Sequence, residues 1–231
     1  KTDEASQVRE AAATALGKFI YLKEIEEIDQ AEAALAEEAL LETIYQGNEG
    51  VDVRRRAVEA IGFSGDNRVT QIIEAAYYDD NEKMRVSAIF AMGRNADAAW
   101  IPHVIEELDN SNAEFRFEAA RACGELEARA AVERLIRLVE EDSDIEVQQM
   151  AIWALGRIGG DQAREVLEAC LEGDNDILAE AAEESLDELN LFDNDLMLYD
   201  FDDYDDSDAF IELLEEDFDG PNGANGHQKA E

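Results

Sequence analysis

One short pattern recurs along the 231-residue chain, and an internal repeat limits the possible folds more than any other sequence feature. Ala-Leu-Gly stands at 15–17, Ala-Ile-Gly at 60–62, Ala-Met-Gly at 91–93, Ala-Cys-Gly at 122–124 and Ala-Leu-Gly at 154–156. A further step reaches Ser185-Leu186-Asp187, where Asp replaces Gly. The steps are 45, 31, 31, 32 and 31 residues. Nine residues before each of these glycines, or before Asp187, sits an apolar residue: Val8, Val53, Met84, Phe115, Val147 and Leu178. Five before it sits alanine every time, at Ala12, Ala57, Ala88, Ala119, Ala151 and Ala182.

Offsets of −9, −5, −2 and −1 trace one stripe of an α-helix. Alanine on that stripe lets neighbouring helices approach closely, and the glycine is expected to end or loosen the helix near its C-cap. The intervening segments 29–45, 67–78, 98–108, 129–140 and 161–171 are helical by pattern as well. Each unit is then a helical hairpin that must stack on its neighbours to bury its apolar face. The fold class is all-α, an α-solenoid over residues 1–190. The extra length before the second copy, with Phe19-Ile20-Tyr21-Leu22 and the alanine-rich 31–41, reads as longer helices. The copy at 176–189, which gains Glu180, Glu183 and Glu184, reads as a terminal cap. The first copy opens at its second helix near Ala5, which reads as a fragment of a longer protein.

An Asp or Asn stands six residues before an Arg in four copies: Asp3 and Arg9, Asn48 and Arg54, Asp79 and Arg85, Asn110 and Arg116. With the stripe, these residues resemble the HEAT-repeat family, in the short-repeat form also found in phycobilisome-lyase-like proteins. The resemblance implies a polar ladder between adjacent repeats. It is expected to weaken where Gln148 follows Asp142 and where Ala179 occupies the last arginine position. The same resemblance raises an accessory lyase or chaperone as an alternative function, with a structural subunit of a larger assembly as another.

The formal net charge is −39. Residues 1–190 hold 44 acidic against 18 basic residues, and residues 191–219 hold 13 acidic and no basic ones. Such a balance repels phosphate backbones and anionic lipid heads, so nucleic-acid and membrane-surface binding are not expected; it favours either a basic protein partner or simply a solvated acidic surface. No run of 18 apolar residues is present to span a bilayer. Cys123 and Cys170 form no CxxC pair and are too few for a disulfide framework, which points to a reducing, cytoplasmic setting.

Catalytic chemistry is not legible. His103 and His227 are the two histidines, and neither adjoins a Glu. A His-rich iron site is therefore not expected. His103, after Pro102, reads as a surface or capping residue, and Cys123 as core packing. There is no phosphate-binding glycine loop, and the Asp-rich run 195–208 lacks the Gly and Glu spacing of a calcium loop. No cofactor is expected, and the chain reads as a non-enzymatic scaffold.

Positions −7 and −3 from each glycine lie one helical turn apart, off the core stripe. The outer copies are polar there, with Glu10 and Thr14, Arg55 and Glu59, and Glu180 and Glu184. The middle three carry Val86 and Phe90, Phe117 and Arg121, and Gln149 and Trp153. Side by side these six would line a partner-binding groove, or else fill gaps between repeats. In the groove reading Arg121 reads an acidic group. The segment 191–219 carries Phe201, Tyr204, Phe210 and Phe218 among its acids. Within it, 208–218 is expected to be either disordered or a short amphipathic helix with Ile211, Leu214 and Phe218 on one side. This tail is a second candidate for the groove by self-docking, and 220–231 is expected to be flexible.

Overall fold

A computed structural model describes residues 4–46 and 49–197. The described residues form eleven α-helices and no strand: α1 (Glu4–Glu24), α2 (Gln30–Tyr45), α3 (Val51–Ile61), α4 (Asn67–Tyr77), α5 (Glu82–Asn95), α6 (Ile101–Glu107), α7 (Ala113–Glu125), α8 (Val132–Glu141), α9 (Ile145–Ile158), α10 (Asp161–Leu171) and α11 (Asp176–Met197). Short 3-10 turns at Ala98–Trp100 and Arg129–Ala131 lead into α6 and α8. The array is thus the stacked-hairpin solenoid that the repeat implies. The chain divides into two units after Asn190, and α1–α10 with most of α11 belong to the first. The tail residues Phe201, Tyr204, Phe210, Ile211, Leu214 and Phe218, and the terminus 220–231, lie outside the described residues. Among the described residues no helix is long and apolar enough to cross a membrane.

Second helices stack on second helices: α1 on α3, α3 on α5, α5 on α7 and α7 on α9. The stripe residues explain the order. Val53, Ala57, Met84, Ala88, Phe115, Ala119, Val147, Ala151 and Ala182 are all buried. Val8 and Ala12 of the first copy depart from this pattern: both are exposed, Val8 to 68%. Nothing among the described residues packs on that side of α1, so the same offsets face solvent.

Four of the five glycines stand near a helix end: Gly62 is the C-cap of α3, in ordinary right-handed conformation, and α5, α7 and α9 run only one or two residues past Gly93, Gly124 and Gly156, whereas α1 continues for seven residues past Gly17. Their role is close approach. A Cβ on Gly17 would lie 3.0 Å from Ala60 Cβ, one on Gly62 3.0 Å from the Ala91 carbonyl oxygen, and one on Gly93 3.0 Å from Ala122 Cα. One on Gly124 would lie 3.0 Å from Ala154 Cα, and one on Gly156 2.8 Å from Ser185 Cβ. Each glycine therefore meets the −2 residue of the next copy, and the two helices touch backbone to backbone.

Helix starts follow from an Asx relay. Asn81, Asn112, Asp144 and Asn175 cap α5, α7, α9 and α11, accepting from backbone N–H groups two residues on at 3.0, 3.0, 3.0 and 3.1 Å. Asp79, Asn110 and Asp142 in turn accept from the N–H of the first three caps at 2.8–2.9 Å. The polar ladder runs through the same residues. Arg54 approaches Asp79 at 4.0 Å, and Arg116 grips Asp142 through Nε at 2.6 Å and Nη2 at 2.7 Å. Arg9 reaches Glu49 at 3.0 Å. For Arg85 the corresponding position in the next copy is the neutral Asn110, and Arg85 lies 5.2 Å from the Phe115 ring centroid and 3.7 Å from Glu82. Gln148 turns back to the Val139 carbonyl, so no further rung follows Asp142.

His103, near the start of α6, is half-buried and lies edge-on to the rings of Tyr77 (5.5 Å) and Trp100 (5.7 Å). The turn Ala98–Trp100 brings the Trp100 ring onto it, a placement that the Pro102 context does not announce.

Two outcomes follow. Gly93→Ala gains helix propensity of about 1 kcal/mol but forces a methyl onto the Ala122 backbone, with an overpacking cost of roughly 1–3 kcal/mol. A lowered urea midpoint is expected, and an unchanged or raised one would show that the backbone contact is slack. Asp142 is 97% covered at its side chain. Its burial, which by itself would raise the pKa, is outweighed by the Arg116 and backbone hydrogen bonds, so the carboxyl titrates below its ordinary value. The stability it contributes is complete above the unfolded-state pKa of about 3.9 and is lost as pH falls through the depressed folded value. Asp142→Ala should cost about 3 kcal/mol at neutral pH, and the gap from wild type in urea unfolding should close towards pH 2.

Candidate functional site

The −7 and −3 positions lie on the face formed by α3, α5, α7, α9 and α11. Val86, Phe90 and Phe117 line a cavity of about 520 Å³, together with Arg55, Arg56, Glu59, Glu114, Glu118, Asp144 and Glu146. Phe117, Gln149 and Trp153 line a second cavity of about 610 Å³, with Met150, Ala181, Ser185 and the carboxylates of Glu146, Glu184 and Glu188. Phe117 and Glu146 belong to both, so the cavities form one groove across α5, α7, α9 and α11. Five of the six expected residues line it. Each is half-buried, as a residue on a groove floor would be.

Arg121 is placed differently. Its Nε donates to Glu118 at 2.6 Å, its Nη1 to Glu125, and its Nη2 to the Phe90 carbonyl at 2.9 Å. The guanidinium lies 3.9 Å from the Phe90 ring centroid, and the side chain is 12% exposed. Three donors are thus committed within the protein, and a role in reading a ligand's acid finds no support in this geometry. Its work is to fix Phe90 and to neutralise two neighbouring carboxylates. Burial raises the Glu118 pKa, and Arg121 opposes that rise.

A second row of residues, one position after each glycine, completes the face. Arg94 stacks 4.1 Å from the Phe90 centroid and 4.7 Å from that of Phe63, and Nη1 donates to the Glu59 carbonyl at 3.4 Å. Phe90 therefore lies between two guanidinium groups. Burial, and then the neighbouring charge of Arg121, lower the Arg94 pKa. Glu59 is buried yet satisfied, accepting from Arg55, Arg56 and, at 2.6 Å, Ser87. Arg157 reaches Glu188 at 3.2 Å. Phe63, Arg94, Glu125, Arg157 and Glu188 were open to reading, because each follows the repeat tripeptide directly. The −7 and −3 comparison passed over them.

Burial pushes the Cys123 thiol up to about 12, and it raises Cys170 as well. Among the described residues no group of three or more His, Cys, Asp or Glu is placed to hold a metal ion.

The family model for HEAT repeats matches residues 1–93 and 101–187. The chain belongs to the HEAT-repeat family. The solved complex of CpcE and CpcF of phycocyanin lyase from Nostoc sp. PCC7120 is similar at 19% identity and a TM-score of 0.53, over 67% of this chain and 65% of that one. An engineered protein is similar at 20% identity and a TM-score of 0.51, over 83% of this chain and 93% of that one. At such identities the likeness is one of fold. A search of curated proteins gives no significant match. This HEAT array is of a kind that typically binds proteins.

With a pKa near 12 and full burial, Cys123 should resist alkylation at pH 8 while the protein is folded. Mass spectrometry after maleimide treatment should find Cys123 unmodified, and both cysteines modified once the chain is unfolded in urea. Labelling of folded Cys123 would show that α7 opens readily.

Proposed function

We propose that the chain is a non-enzymatic scaffold that holds a segment of a partner protein in the groove across α5, α7, α9 and α11. The observation that carries this reading is the continuity of the two cavities through Phe117, over an apolar floor of Val86, Phe90, Phe117, Met150 and Trp153. An apolar core bounded by a polar rim, with aromatic residues as anchors, is the usual anatomy of a protein interface. The rim supports a basic segment over an acidic one, since carboxylates outnumber guanidinium groups along both cavities. The chain's own tail fits less well. It brings 13 acidic residues and no basic one, and Arg121, its expected partner, is already engaged.

The test is a selection of binders from a random displayed-peptide library, followed by hydrogen-exchange mapping on the intact chain. Selected peptides should protect α7 and α9, and Phe117→Ala should weaken them about tenfold or more, with the melting temperature recorded beside each titration. Protection confined to α4, α6 and α8, or affinity untouched by Phe117→Ala, would reject the groove.

A further inference from the structure

The face lined by the second helices is a lattice in which aromatic rings, guanidinium groups and carboxylates neutralise one another. Phe90 shows the complete unit. Its ring is covered by Arg94 at 4.1 Å and Arg121 at 3.9 Å, and Arg121 is held in turn by Glu118 and Glu125. Trp153 occupies the equivalent position two copies further on. It has a ring at the groove surface and carboxylates around it, Glu146 and Glu184 among them. The cation is what differs. Among the described residues no guanidinium or ammonium group lies over Trp153, and the side chains of Glu146 and Glu184 make no ion pair or hydrogen bond. Arg157, one turn on, is directed to Glu188.

Building on the groove reading, we infer that the Trp153 end of the groove takes an arginine side chain of the partner segment. Its methylene stem would pack on Phe117 and Met150. The guanidinium would lie against Trp153, with Glu146 and Glu184 as counter-charges. Two arguments select arginine over lysine. A planar, weakly hydrated guanidinium stacks on an aromatic face better than an ammonium group does. Each cation–π contact in the described residues is also made by an arginine. The roughly 610 Å³ of the cavity leaves room for such a side chain and its neighbours. The other end differs, since Arg55 and Arg56 line it beside Glu59. The partner arginine is thereby assigned to one end of the groove, and the segment gains a direction.

The probe is a nonapeptide of alternating leucine and arginine, titrated calorimetrically into the whole chain beside a counterpart with glutamine in place of arginine. The arginine peptide should bind about tenfold or more tightly than the glutamine peptide. Trp153→Leu and Glu184→Gln should each remove most of that advantage, whereas Glu168→Gln, exposed on α10, should leave it intact. Trp153 packs beside Gly124, so its variant is read with a melting curve. Glu184 is exposed, and its variant tests the inference without any packing change. Equal losses from Glu184→Gln and Glu168→Gln would mean diffuse attraction of an acidic protein for any polycation, and would overturn the inference. Equal affinity for the two peptides would overturn it while the groove itself stands. If neither peptide binds, the groove reading falls with it.

Discussion

The contact between a glycine of one copy and the −2 residue of the next sets the geometry of this molecule. Five such contacts, from Gly17–Ala60 to Gly156–Ser185, hold second helices at backbone distance. Everything on the exposed side of those helices is brought close as a result. Phe90 and Arg121 are 31 residues apart, yet the guanidinium reaches both the ring and the carbonyl of Phe90. Larger residues at either partner position would spread the helices, and the groove floor would lose its continuity before the array lost its helices. In a solenoid each unit touches only its neighbours, so spacing errors are not averaged out by a common core.

The helices and their order were legible because they rest on periodicity, which one sequence displays in full. The pattern at 29–45, 67–78 and 161–171 became α2, α4 and α10. The alanines at −5 in the later copies are buried for the same reason. What escaped was whatever depends on partners in space. A glycine before a helix end and a glycine at a helix crossing look alike in a sequence. The first is fixed by local dihedrals, the second by a neighbour 29 to 43 residues away. The internal partners of Arg121 escaped on the same ground, since Phe90 reaches it from a position whose approach only the stack defines. Val8 kept its offset and lost its burial because nothing described covers it. The break in polarity at −7 and −3 pointed to five residues that line the two cavities, Val86, Phe90, Phe117, Gln149 and Trp153. The row after the glycine is equally visible in the sequence, at its own fixed offset.

Charge acts on two scales in this chain. Taken whole, it is an acid, at −39. On the groove face the arginines are concentrated where carboxylates are buried, as with Glu59 and Glu118, so the local field is far more even than the total suggests. That evenness ends towards Trp153, where exposed carboxylates go without internal partners. The face thus neutralises itself in one stretch and leaves charge unmatched in the next, so its electrostatic character changes along the groove.

The end of the ladder at Asp142 has a mechanical consequence. Up to that point three joints carry a cross-tie at the helix starts, Arg9–Glu49, Arg54–Asp79 and, most firmly, the two-pronged Arg116–Asp142 grip; among the described residues the joint between α5 and α7 carries none. Past it, Gln148 bonds within its own hairpin, and α9 and α11 meet through the Gly156–Ser185 contact and the partly exposed Arg157–Glu188 pair. The joint between α9 and α11 therefore lacks the clamp that ties α7 to α9 at the helix start, and its spacing rests on the glycine contact and the buried Ala182 and Leu186. That joint is one wall of the cavity lined by Trp153, so the approach of these two helices sets the width of the groove at that end.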